Sequence, residues 1–216
     1  MSAADFLFSP EVQTLLKIVF AAPGQQFSSG ELARYSKLDA ADVTRTLEHL
    51  VKSGILTQQD PKAEPPDNVK ANDAFIFYGE LRRIALKSFA AAAPIRAMLR
   101  SKFKDSVLRA FVLGEDKDGT VELLVVHGEL TPDEAAMTAA CQKLSKTLRR
   151  HLTVHVISNA RFNGLTLRDA LASKLAAESA FEIIALGDTK AKLPIERMGL
   201  LQSAKKKLAK LSRSST

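Results

Sequence analysis

A chain of 216 residues, 46% of them hydrophobic, has room for two domains of ordinary size and enough apolar material for real cores. One cysteine, Cys141, excludes a disulfide framework and predicts a buried, inert thiol; no apolar run nears the ~20 residues that span a bilayer and no secretory signal opens the chain, so a soluble cytoplasmic protein is expected. The net charge of +7 locates no nucleic-acid face: residues 1–105 carry 14 Lys and Arg against 12 Asp and Glu, residues 106–200 carry 12 against 12, and the last 16 carry 5 against none.

Ser9-Pro10-Glu11 is a helix start, with Ser as N-cap and Pro where its missing N–H costs nothing. Val12, Leu15, Leu16, Val19 and Phe20 give that helix an apolar face, and Pro23-Gly24 ends it. Ser28 followed by Glu31 predicts a capping box and a short second helix that stops near Ser36-Lys37. Asp39 caps a third helix with a buried stripe of Val43, Leu47, Leu50 and Val51, and Gly54 supplies the left-handed stop. Residues 55–58 turn extended, residues 60–67 form a Pro-rich tip, and residues 68–72 return. Two helices, a turn, a third helix and a hairpin make the pattern of a winged helix-turn-helix over residues 1–74.

A helix in a major groove offers base edges a few side chains from its N-terminal half. Ala40 and Ala41 allow close approach, while Asp42, Thr44 and Arg45 can reach bases. The candidate DNA contacts are Ser28, Ser29, Lys37, Ala41, Asp42, Thr44, Arg45, His49, Lys52, Lys62 and Lys70.

Residues 75–105 read as linker helices. Residues 74–78 favour a strand by propensity, yet Leu81, Ile84, Ala85 and Phe89 keep helical spacing, so a helix is expected from 78 to 91 and a second from 94 to 103. Residues 106–195 then alternate strands and helices: strands at 107–113 and 121–126, a helix capped at Thr131 and running to about 150, a strand at 152–157, a helix capped at Thr166 and running to 178, and a strand at 182–185. Residues 196–216 form a basic tail, either a helix with a basic face or frayed, suited to sequence-independent DNA contact. The fold class is α+β: a winged helix-turn-helix, linker helices and an α/β domain with a small mixed sheet.

Several runs carry a resemblance: Glu80-Leu81-Arg82-Arg83-Ile84-Ala85-Leu86-Lys87, Ala110-Phe111-Val112-Leu113-Gly114, Leu123-Leu124-Val125-Val126 and Leu148-Arg149-Arg150-His151-Leu152. Over residues 10 to 190 the chain resembles bacterial and archaeal proteins that join an ArsR-like or MarR-like winged helix to a minimal nucleotidyltransferase-like domain. In that family a glycine and a serine meet the phosphates, and two acidic residues at i and i+2 of a strand hold the metal ions of nucleotidyl transfer. Here Gly114 is kept, but the serine is Glu115, the paired positions are Thr120 and Glu122, and the third acid is Thr153, with His155 on the same face. A carboxylate where phosphates belong repels them. The resemblance thus implies a regulator that binds double-stranded DNA as a homodimer on two half-sites, with a catalytically inactive domain for dimerisation or sensing and no cofactor or metal. The alternatives are an active nucleotidyltransferase with an unconventional metal site around Glu122, Asp118, Glu115 and His155, and a partner-binding adaptor.

Overall fold

The computed structural model describes residues 3–116 and 118–194; the basic tail expected at 196–216 lies outside them. Helix α1, Pro10–Val19, starts where Ser9 Oγ accepts the Val12 N–H. Helix α2, Ser29–Ser36, carries the expected box: Ser28 Oγ accepts from the Glu31 N–H and the Glu31 carboxylate accepts from the Ser28 N–H. Lys37, left-handed at φ 60°, turns the chain into α3, Ala40–Lys52. Asp39 stands at that N-cap in extended conformation without a side-chain bond to the helix, so it contributes charge at the positive helix end rather than the expected cap bond.

Leu15, Leu16, Val19, Phe20, Leu32, Val43, Leu47 and Leu50 bury together and hold the three helices as one core. Gly54, at φ 75°, ends the run after α3, with the Ile55 N–H returning to the Leu50 carbonyl. Strands β1, Leu56–Gln58, and β2, Val69–Ala71, pair antiparallel and close the core with Leu56 and Val69. Phe27 bridges to Val69, a third short extended piece that the sequence does not announce.

The linker departs from expectation. Instead of one helix to residue 91, α4 spans Tyr78–Ala85, a π-turn follows at Leu86–Ala90, and the backbone breaks at Ser88 and Ala91 before α5, Ala92–Lys102. Ser88 Oγ donates back to the Ile84 carbonyl, a bond that bends helices, and the small residues at 90–93 let the chain change direction. The break serves two cores: Ala85, Phe89 and Ala90 pack with the N-terminal helices, while Leu86, Ala92, Ile95 and Leu99 pack with the sheet.

That sheet has the order β5-β4-β3-β6. Here β3 is Val107–Glu115, β4 is Thr120–His127, β5 is His151–Ser158 and β6 is Phe181–Ile184. The β4–β5 pair is parallel and the other pairs antiparallel, so the sheet is mixed and the fold α+β. The parallel step is crossed by α6, Glu134–Leu148. One face packs Val112, Val121, Leu123 and Val125 against α5 and α6; the other packs Phe111, Leu113, Leu124 and Val126 under α7, Asn159–Asn163, and α8, Ala170–Leu175. Burial on both faces is why β4 carries four successive apolar residues, Leu123 to Val126.

Two caps differ from the sequence expectation. Asp133, not Thr131, caps α6, accepting from the Ala135 and Ala136 N–H groups. Thr166 gives its N–H and hydroxyl to Asp169, which stands at the N-cap of the much shorter α8. Among the described residues no helix is long and apolar enough to cross a membrane.

One buried charge cluster ties the two cores together. The Glu115 carboxylate, at the end of β3, accepts from Arg82 of α4 at 2.6 Å and from Arg150 at 2.8 Å, and Arg150 also reaches the Lys17 carbonyl in α1 at 3.4 Å. The Arg150 side chain is 2% exposed. Replacing Glu115 by Ala strands that guanidinium without its counter-charge and should cost about 3–5 kcal/mol in denaturant unfolding. Cys141 is buried in the α6 face of the core, and burial pushes its thiol up to about 11. Thiol reagents at neutral pH should therefore modify it slowly in the native protein and rapidly once urea unfolds it, measured by mass spectrometry.

Candidate functional site

The outer side of α3 is not covered by the rest of the chain. Ala40, Ala41, Arg45, Glu48, His49 and Lys52 are exposed, and the Arg45 side chain is 76% open to solvent. Arg45 extends along its own helix to Asp42, Nη2 to Oδ1 at 2.7 Å. This places a guanidinium and a carboxylate one turn from the N-terminus.

The face divides into two flanks. Thr44, Glu48 and Lys52 line an open groove of about 690 Å³ with Gln58, Pro61, Glu64 and Pro65 of the hairpin. Arg45 and His49 look the other way, into a cleft with Leu7, Phe8 and Val12 before and within α1. Thr44 is therefore half-buried beside the hairpin while Arg45 stands open to solvent, a division that helical spacing alone leaves open. Thr46 is buried and bonds back to the Asp42 carbonyl.

Of the candidate phosphate contacts, Lys37 lies exposed at the turn between α2 and α3, and Lys62 is exposed in the hairpin loop. Lys70 points outward between buried Val69 and Ala71, as strand alternation requires. Ser28 and Ser29 are otherwise engaged. The capping box uses the Ser28 hydroxyl, and the Ser29 N–H donates to Asp67 Oδ1 at 2.6 Å. Two carboxylates thus occupy the start of α2, and these serines hold the hairpin to the helix rather than offering donors to a phosphate. The sequence gives no sign of it, since Asp67 lies 38 residues further along.

The second candidate site is dispersed. Gly114 has φ 141°, and a Cβ there would come within 2.9 Å of Ser179 Oγ, which donates to the Leu113 carbonyl; glycine is demanded by local packing. Glu115 pairs across to Val121 and faces Arg82 and Arg150, whereas Glu122 pairs across to Gly114 on the opposite side of the sheet. Both Glu122 oxygens lie 2.6 Å from Lys174 Nζ in α8. Thr153 is the neighbour of Glu122 in the parallel ladder, and Thr120 is opposite His151. Asp116, exposed in the turn between β3 and β4, accepts the Asp118 and Thr120 N–H groups. Among the described residues no three His, Cys, Asp or Glu side chains converge as a metal site.

No family model matches the chain, and no curated protein does. Among solved structures the chain is similar to HmgR of Pseudomonas aeruginosa, at 19% identity over 76% of this chain and 69% of that one. The TM-score is 0.27, so the likeness carries no argument about arrangement or activity.

The Ser29 N–H bond, ahead of smaller contributions from its surroundings, holds the Asp67 carboxyl below its ordinary value. A depressed folded-state pKa stabilises above the unfolded value, and that contribution disappears as pH falls through the folded one. Thermal melts from about pH 5 to about pH 2 should show a destabilisation that is shallower in Asp67→Asn, because the variant has no proton to take up there.

Proposed function

We propose that this chain is a DNA-binding transcriptional regulator in which residues 1–74 act as a winged helix-turn-helix reader. Residues 75–105 serve as its linker, and residues 106–195 as a catalytically silent, nucleotidyltransferase-like domain for dimerisation or sensing. The observation that carries the reading is the uncovered outer side of α3, with Arg45 held open to solvent beside Asp42. On a helix lying in a major groove, a guanidinium suits guanine O6 and N7, and a neighbouring carboxylate suits the amino group of cytosine. The intrahelical pair with Asp42 is an exposed surface contact, weak enough for Arg45 to exchange it for a base edge. Thr44 sits where it can meet a base or a phosphate alongside the hairpin.

Lys37, Lys52, Lys62 and Lys70 are exposed around that helix and supply phosphate contacts. Asp42, Glu48, Glu64 and Asp67 lie among them, and residues 1–74 carry 7 Lys and Arg against 10 Asp and Glu, so the reader gains nothing from undirected attraction. Such a reader depends on base contacts and on two half-sites, which supports a homodimer on double-stranded DNA. The silent-domain reading is supported by the engagement of its carboxylates: Glu115 is held by two arginines and Glu122 by Lys174, on opposite faces of the sheet.

Arg45→Ala should weaken binding to the best duplex site by ~1–3 kcal/mol and relax base preference at one position, read by gel shift after selection from genomic fragments. Lys52→Ala should lower affinity on all duplexes and reduce the slope of log K against log salt by about one. Unchanged binding in Arg45→Ala removes α3 as the reading helix. Incubation with labelled nucleoside triphosphates and Mg²⁺ or Mn²⁺ should give no transfer; turnover abolished by Glu122→Gln would establish an active enzyme instead.

A further inference from the structure

Where α1 and the end of α2 face the last turn of α6, an open cleft of about 450 Å³ is lined by Lys17, Lys146 and Arg149. The Thr147 hydroxyl adds a donor, whereas the Thr14 and Ser36 hydroxyls donate to the Pro10 and Ala33 carbonyls of their own helices, and none of the lining residues is acidic. Among the described residues, none of the three cations forms an ion pair, in contrast to Arg150 next door, which Glu115 neutralises. Tyr35 completes the wall. The Arg149 guanidinium carbon lies 3.8 Å from its ring centroid, and Arg34 donates to its hydroxyl at 3.1 Å.

The groups themselves register this positive field. The hydroxyl of Tyr35 is shifted below the ordinary phenol range by Arg149 first and Arg34 second. The Lys17 ammonium is pushed down by burial and then by Arg150. Cations gathered in a cleft without acids repel one another, and a bound anion relieves that repulsion while its oxygens accept from the ammonium and guanidinium groups. We propose that this cleft binds a small phosphate-bearing molecule with two or more negative charges, held by Lys17, Lys146 and Arg149 at the junction of the two units. Lys17 is half-buried, within reach of a small anion and less so of the backbone of a stiff duplex. The ligand touches α1 and α2 on one side and α6 on the other, so it acts on how the reader is held; its role as an effector rests on the regulator reading, whereas its binding does not.

The test is calorimetric titration of the full chain with inorganic tripolyphosphate at low ionic strength, with citrate as a phosphate-free anion and a short duplex as separate arms. Tripolyphosphate is expected to bind at one site per chain and more tightly than citrate. Lys146→Glu and Arg149→Glu, both at exposed positions, should each weaken it by about tenfold or more, the loss that accompanies removal of a charged hydrogen bond. Lys104→Glu, beyond the end of α5, should leave it unchanged, and circular dichroism confirms that each variant is folded. No heat with tripolyphosphate, equal binding of citrate, or equal binding by parent and cleft variants overturns the proposal. If the cleft variants weaken duplex binding while the parent ignores tripolyphosphate, the cleft is a DNA-backbone contact and the small-anion site is refuted. Failure of the regulator reading is distinct: Arg45→Ala would leave duplex binding intact while tripolyphosphate still binds.

Discussion

The Glu115 carboxylate is the interaction on which the relation between the two halves depends. It draws Arg82 from the linker and Arg150 from the end of α6 to one point, and Arg150 in turn reaches the backbone of α1. Charges taken out of water are expensive, and the cluster is tolerable because each guanidinium meets the same acceptor at short range. Removing one member would leave a buried charge unpaired, so the three groups stand or fall together. At the position where the resemblance places a phosphate-binding serine, this chain has therefore put a carboxylate that holds its own body together.

The linker obeys the same demand for two partners. A straight helix from residue 78 to 91 would present one apolar stripe to one core. The π-turn and the break at Ser88 and Ala91 rotate the chain, so that Phe89 meets Phe8 edge-on in the N-terminal core while Leu86 and Ile95 enter the sheet core. The Ser88 hydroxyl is bonded back to the Ile84 carbonyl of the preceding turn, the kind of contact that bends a helix.

Charge is arranged in opposite ways at the two surfaces that matter. Around α3, acids and bases are interspersed, and Arg45 is paired with Asp42. In the cleft beside α6, cations stand together with an aromatic ring and hydroxyls but no carboxylate. A mixed surface discriminates through directed hydrogen bonds, since unfavourable contacts reject wrong partners. A concentrated positive surface attracts by charge and selects by the size of what fits.

The helix starts at Ser9 and Ser28, the stop at Gly54, the stripe through Leu47 and Leu50 and the strand at 121–126 were all legible in the sequence. Each rests on contacts within a few residues or on simple periodicity, and α3's outer residues follow from the same spacing. The fate of the nominated donors and carboxylates was not legible. Ser29 meets Asp67, Glu122 meets Lys174 52 residues away, and Glu115 meets Arg82 and Arg150 33 and 35 residues away. The short span of α8, the break at Ser88 and the cation cleft were likewise decided only when distant elements packed. Local hydrogen bonds and periodic burial are written into neighbouring residues, whereas a charge takes its partner from whatever the fold brings within a few ångströms.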